Sequence, residues 1–289
     1  MRCSGFSSKA QRRSTIAVHG VRIAAFIALV LLLSYFMLSR LVDNFIFHPS
    51  PGIDLRISDL GIEGEEVRLD SEGVSIHGFY LPTPRPDQNA RAILFLHGNA
   101  GNASHRLPNA AELARLGTDV LLIDYRGYGL SEGRPSESGA YADARAGLAH
   151  LVKDRGIPEH RIVLFGRSLG GAVAVDLARN RTLAGVILES TFTSISDLAR
   201  EMLGEPLAYL VRGHFDSASK IGQIKAPLLF FHGDQDRIID PAFGRRLFEL
   251  APEPKQFETI SGAGHNDTVE IGGRAYFERI ARFLDEVAP

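Results

Sequence analysis

From about residue 50 the sequence alternates short apolar runs with longer amphipathic stretches, which leaves few architectures open. A run of five or so apolar residues without polar alternation is a strand covered on both faces, and the amphipathic stretches between such runs are the helical crossovers that parallel strands require. Strands are predicted at 92–96, 120–124, 161–165, 185–188, 227–231 and 256–260, and helices at 103–116, 138–154, 169–179, 241–250 and 273–287. Residues 66–81 (EVRLDSEGVSIHGFYL) alternate around Glu72-Gly73 instead and read as a leading antiparallel hairpin. The widest gap between strands, 190–226, has room for a small lid and not for a large independent domain.

The charge balance removes one class of function. With 32 Lys and Arg against 34 Asp and Glu the formal net charge is −2, and no basic surface of the kind that binds a phosphate backbone is expected, so nucleic acid is not a partner. The single cysteine, Cys3, allows no internal disulfide.

The N-terminus reads as an appendage in three parts. Residues 1–20 form a basic tail, 21–40 an anchor and 45–289 the folded domain. Residues 23–38 (IAAFIALVLLLSYFML) are apolar, preceded by Arg2, Lys9, Arg12, Arg13 and Arg22 and followed closely by Arg40 alone. No small-x-small cleavage site follows Leu38, and Tyr35, Phe36, Phe45 and Phe47 supply an interfacial aromatic belt, so an uncleaved single-pass helix is expected. The basic flank places the tail in the cytoplasm and the domain across the membrane, the periplasmic side of a bacterial inner membrane.

Chemistry is concentrated at the ends of the predicted strands. After the run Ile162-Val163-Leu164-Phe165 comes Gly166-Arg167-Ser168-Leu169-Gly170-Gly171, followed by a helical pattern. A serine on a strained strand-to-helix turn needs small residues two before and two after it, and Gly166 and Gly170 meet that need. The turn sets Ser168 at a helix N-terminus, where the Leu169 N–H faces an oxyanion. The plain alternative is a glycine-rich turn with a capping serine.

A serine hydroxyl also needs a base, and the base an acid to orient it; on such a turn both follow in the chain. His265 stands in Ser261-Gly262-Ala263-Gly264-His265 behind one predicted strand, and Asp234, Asp236 and Asp240 stand behind another. Asp236 is preferred as the acid. Asp234 is read as bonding its own turn, Asp240 as the N-cap before Pro241, and Glu189, at another strand end, is the reserve acid. The second oxyanion donor is expected from His97-Gly98-Asn99-Ala100-Gly101-Asn102 after strand 92–96, through the N–H of Asn99 with Ala100 as the neighbouring alternative. His97 is read as bracing that loop and His232 as structural. No zinc spacing and no phosphate-loop ending occurs, so neither metal nor cofactor is expected.

Together, HGNAGN at 97–102, DYRGYGLSEGRPSE at 124–137, GRSLGG at 166–171, HGDQDRI at 232–238 and GAGHND at 262–267 resemble the Bem46-like branch of α/β-hydrolases, a branch that also contains membrane-associated acyl-protein thioesterases. The resemblance extends over nearly everything after residue 45, including the exit Phe45-Ile46-Phe47-His48-Pro49; the chain lacks the cysteine-rich N-terminus of the eukaryotic thioesterases. It implies an α/β-hydrolase fold with a mostly parallel sheet, helices on both faces and a small lid or none. Carried over residue by residue, it makes Ser168 the nucleophile, Asp236 the acid and His265 the base. The expected protein is a membrane-anchored serine hydrolase acting on an ester or thioester of a small or lipid-like acyl group. A peptidase of the same fold and a non-catalytic binding protein with a hydrolase shell are the alternatives. Residues 125–137 suggest no chemistry of their own: a glycine-rich loop and a substrate-entrance lining fit them equally.

Overall fold

The computed structural model describes residues 26–84, apart from 31, 32, 35, 36, 38 and 39, and residues 91–288. A boundary between two compact units falls between Ile46 and Phe47. The basic tail, Cys3 and residues 21–25 of the expected anchor lie outside the described residues, as do six positions within it. Among the described residues no helix is long and apolar enough to cross a membrane, and much of the expected anchor lies outside them.

The hairpin consists of β1 (Glu65–Ser71) and β2 (Val74–Leu81). Its two turn residues, Glu72 and Gly73, both have positive φ (55° and 82°), as a two-residue turn matched to strand twist demands. Six further strands follow: β3 (Ala92–Leu96), β4 (Asp119–Ile123), β5 (Ile162–Arg167), β6 (Gly185–Glu189), β7 (Leu228–Gly233) and β8 (Lys255–Ile260). The eight form one sheet in the order β8-β7-β6-β5-β3-β4-β2-β1. Only the β1–β2 and β2–β4 pairings are antiparallel. The other five are parallel.

Each predicted strand is present: 92–96 keeps its bounds, and the others have ends shifted by at most two residues. The α-helices of the unit from Phe47 onward are α1 (Leu107–Ala114), α2 (Glu137–Lys153), α3 (Leu169–Ala178), α4 (Ile195–Leu203), α5 (Glu205–Leu210), α6 (Pro241–Leu250) and α7 (Thr268–Val287). The helix predicted at 103–116 divides into a 3-10 turn, Ala103–Arg106, and α1, where Pro108 stands in the first turn. The last helix begins five residues earlier than expected because Gly273 (φ 49°, ψ −135°) kinks it and interrupts its apolar period. The lid gap holds α4 and α5, separated at Gly204 (φ 87°).

Alternation along the strands sends side chains to two faces. Ile93, Phe95, Val163, Phe165, Leu229 and Phe231 join Leu107 and Ala110 of α1 with Ile280 and Phe283 of α7 in one core cluster. On the opposite side Leu94 and Ile123 meet α2 at Gly147, where a Cβ would come within 2.9 Å of the Leu94 side chain. From β3 the chain passes to β4 on one side and then crosses to β5 on the other. The loops leaving β3 and β5 therefore diverge and open a crevice at the carboxyl ends of the strands, where open α/β sheets bind ligands.

Candidate active site

Ser168 joins β5 to α3 in a conformation that few L-residues adopt, φ 53° and ψ −119°. The surrounding glycines are required by contact. A Cβ at Gly166 would lie 2.4 Å from the Gly170 carbonyl oxygen, and one at Gly170 would lie 1.9 Å from the carbonyl oxygen of Leu96. The turn is pinned by Ser168 N–H donating to Glu189 O (2.8 Å) and by the Thr191 hydroxyl donating to Ser168 O (2.9 Å). Strain of this kind costs of order 1–3 kcal/mol and survives only where such contacts impose it.

Three side chains from distant parts of the sequence converge there. His265 Nε2 lies 3.1 Å from Ser168 Oγ, and His265 Nδ1 lies 2.7 Å from Asp236 Oδ2. With the carboxylate accepting the Nδ1 proton, Nε2 is left to accept the serine hydroxyl, the orientation a general base needs. Asp236 Oδ1 accepts the N–H groups of Ile238 (2.9 Å) and Ile239 (2.8 Å). Burial by itself raises the Asp236 carboxyl. Hydrogen bonds from His232 and His265, the charge of His265 and the Ile239 amide together outweigh it and hold the group well below the usual carboxylate range. Ser168 and His265 are 7% and 9% exposed, so the pair is largely shielded from solvent.

The rival carboxylates are placed elsewhere. Asp240 caps α6 by accepting from Ala242 N–H (2.8 Å), as expected. Asp234 differs from expectation: rather than bonding its own turn, it accepts from Gly262 N–H (2.7 Å) and the Ser261 hydroxyl (3.1 Å), fastening the strand-end loop to the loop that carries His265. Glu189 does not reach the His265 ring. Fully buried, it accepts from Arg167 Nε (2.9 Å), the Thr268 hydroxyl (2.9 Å) and the Tyr276 hydroxyl. Arg167 in turn donates through Nη2 to the backbone carbonyl of His265 and to Asn266 Oδ1 (3.2 Å). Sequence reading passed over this clamp. The available signal was a charged residue between a buried strand and a buried helix, since a buried guanidinium requires a partner.

His232 is structural in the expected sense, its Nε2 lying 3.0 Å from Ile239 O and 3.3 Å from Asp236 Oδ2. The loop after β3 runs beside Ser168: a Cβ at Gly98 would lie 3.4 Å from Ser168 Cβ. His97 braces that loop, with Nδ1 2.7 Å from Gly98 O. The chain leaving the N-terminal unit is stitched to the same loop, since His48–Pro49 pairs in parallel with Ala100–Gly101 and Asn102 donates to the carbonyls of Ser50 (3.3 Å) and Gly52 (3.1 Å).

A serine on a strained strand-to-helix turn at the switch point of a mostly parallel sheet, with a histidine and an aspartate in line behind it, is the arrangement of an α/β-hydrolase. The comparisons agree. Residues 87–215 match the family model described as "Serine aminopeptidase, S33". The chain is 35% identical to protein bem46 of Schizosaccharomyces pombe over 237 residues, 79% of each chain. It is 37% identical to the α/β hydrolase domain-containing protein WAV2 of Arabidopsis thaliana over 247 residues, 78% of this chain and 80% of that one. Among solved structures it resembles an α/β hydrolase of Vibrio vulnificus (TM-score 0.66, 25% identity, covering 76% of this chain and 81% of that one). It shares the fold of a Pyrococcus furiosus esterase (TM-score 0.69, 22% identity, 84% of this chain and all of that one). The chain belongs to the Bem46-like family of α/β-hydrolases.

Proposed function

We propose that this hydrolase is a serine hydrolase cleaving carboxylic esters or thioesters through an acyl-enzyme. The observation that carries the reading is the unbroken line from Ser168 Oγ through the His265 ring to Asp236. His265 Nε2 takes the serine proton as Oγ bonds to the acyl carbon, and the N–H groups of Leu169 and Asn99 hold the oxyanion so formed. The bond to the leaving oxygen or sulfur then breaks, and that atom takes the proton from His265. Water repeats the sequence on the acyl-enzyme, giving its proton to His265 and releasing the acid. Besides the substrate and water, these steps use only the protein's own side chains and amides.

Amide cleavage is a second reading, favoured by the serine-aminopeptidase description of the matching family model. The same residues would serve it, with His265 protonating a leaving amine. A panel of p-nitrophenyl esters of increasing chain length, set beside the corresponding p-nitroanilides, separates the two. The ester reading expects kcat/KM to favour the esters at every length; faster anilide turnover would reverse it.

We also propose membrane attachment through the apolar run at 23–38, with the hydrolase on the far side of the membrane, supported by five basic residues before the run against Arg40 close behind it. Reporters fused after residue 60 should be active as alkaline phosphatase and dark as green fluorescent protein. The opposite pattern would reverse the topology.

A further inference from the structure

We infer that residues 124–129 (DYRGYG) are the positioning element of the oxyanion loop, and that Tyr128 acts through the Asn99 carbonyl to set how well that loop stabilises a tetrahedral oxyanion. The inference rests on the acyl-transfer reading above. Two peptide units meet at Asn99, and each is gripped by its carbonyl. In a trans peptide the C=O and N–H point in opposite directions, so fixing the oxygen fixes the proton on the other side. The unit that carries the Asn99 N–H presents Gly98 O, which accepts from His97 Nδ1 (2.7 Å). The next unit presents Asn99 O, which accepts both the Tyr128 hydroxyl (2.6 Å) and His48 N–H (3.0 Å); its N–H belongs to Ala100, so Tyr128 bears on the Asn99 N–H by holding the peptide on the other side of the Asn99 Cα, and directly on the Ala100 N–H, the neighbouring oxyanion candidate.

The same segment holds His97 itself. The imidazole lies against the rings of Tyr125 and Tyr128, with centroids 4.7 and 5.3 Å away. Tyr125 donates its hydroxyl to His97 O (3.1 Å), and Asp124 Oδ1 lies 3.5 Å from His97 Nε2. Asp124 Oδ1 also accepts Ala103 N–H (2.7 Å), closing the far end of the loop. Arg126 anchors the segment to α2 by donating from its N–H to Asp143 Oδ2 (2.7 Å) and from Nη2 to Asp143 Oδ1 (2.8 Å). Glycine is needed at 129, because a Cβ there would lie 2.2 Å from Asp124 Oδ2. Asp124, Tyr125, Arg126 and Tyr128 thus each bond the oxyanion loop or α2. A surface loop or a substrate-entrance lining would need none of this.

The test compares Tyr128→Phe with Tyr80→Phe in the full chain. Tyr80 is a half-matched control: its hydroxyl donates to Asp119 Oδ2 (2.5 Å) at the opposite, amino-terminal end of β4. The readouts are kcat and KM on a p-nitrophenyl ester, melting temperature, and the inhibition constant of a trifluoromethyl ketone, which accepts Ser168 Oγ at its carbonyl carbon and bears the resulting oxyanion. For Tyr128→Phe, kcat should fall about 5- to 50-fold, below the ~10²–10³ that follows outright loss of an oxyanion donor. KM should stay within about twofold, and the ketone constant should rise by the same factor as kcat falls. Tyr80→Phe should lower the melting temperature and leave kcat and the ketone constant unchanged. Unchanged kcat and ketone affinity in Tyr128→Phe would overturn the inference, as would a kcat loss in both variants that simply follows their melting temperatures. A wild-type protein that neither turns over the ester nor binds the ketone would bring down the hydrolase reading itself, and this inference with it.

Discussion

A serine becomes a nucleophile only through the side chains that accept its proton, and at the level of single residues the heaviest demand falls on Asp236. Both its oxygens are committed as acceptors, one to two backbone amides and the other to His265. Asp236→Asn must therefore set an NH2 against an N–H on one side or the other. We expect kcat to fall about 10²- to 10⁴-fold, by comparison with other triads, with KM little changed. Retention of most of kcat would remove Asp236 from the acid's role. The carboxylate also gives the fold a dependence on acid. Its folded-state pKa is depressed, so the unfolded chain takes up the proton first; the stability it contributes is complete above about pH 4 and declines as the pH falls further. Acid unfolding followed by circular dichroism should show a smaller loss below pH 4 in Asp236→Asn than in wild type. The choice of Asp236 over its neighbours was legible because a strand end followed by a tight turn limits which side chain can turn inward. The job of Asp234 was not, since it depends on a loop some 28 residues away in sequence.

At the level of elements, Arg167 and Glu189 join the ends of β5 and β6 to the His265 loop and the start of α7. Breaking one partner leaves a buried charge alone, which typically costs 3–5 kcal/mol, whereas replacing both with neutral groups of similar volume is often neutral. Arg167→Met should therefore lower the melting temperature strongly, and adding Glu189→Gln should recover most of it. Because nothing then holds the His265 carbonyl, the double variant should keep a reduced kcat with near-normal KM. Full recovery of kcat along with stability would make the pair a structural bridge and no more. The strands around this clamp were readable because burial on both faces strips them of polar residues, as in Ile162-Val163-Leu164-Phe165. The start of α7 was hidden by its kink at Gly273, and α4 and α5 by their brevity and the break at Gly204. Where apolar period is interrupted, tertiary packing decides the boundary and local sequence does not.

At the scale of the whole molecule, the topology brings together what the sequence scatters. Strand order sends the loops after β3 and β5 apart at one end of the sheet, and the loops after β7 and β8 deliver Asp236 and His265 to the same end. Ser168, Asp236 and His265 could be picked out in advance because each follows a legible strand. The scaffold of tyrosines, arginine and glutamate behind them could not, because its contacts join residues 22 to 99 positions apart. The central claim is that this assembly makes Ser168 a nucleophile. It is tested most directly by treating the protein with a fluorophosphonate, digesting it and locating the adduct by mass spectrometry. The account predicts one phosphonylated site, Ser168, with labelling and ester turnover both lost in Ser168→Ala while the melting temperature is kept. An adduct on a different serine, or a Ser168→Ala protein that still hydrolyses esters at the wild-type rate, would contradict it.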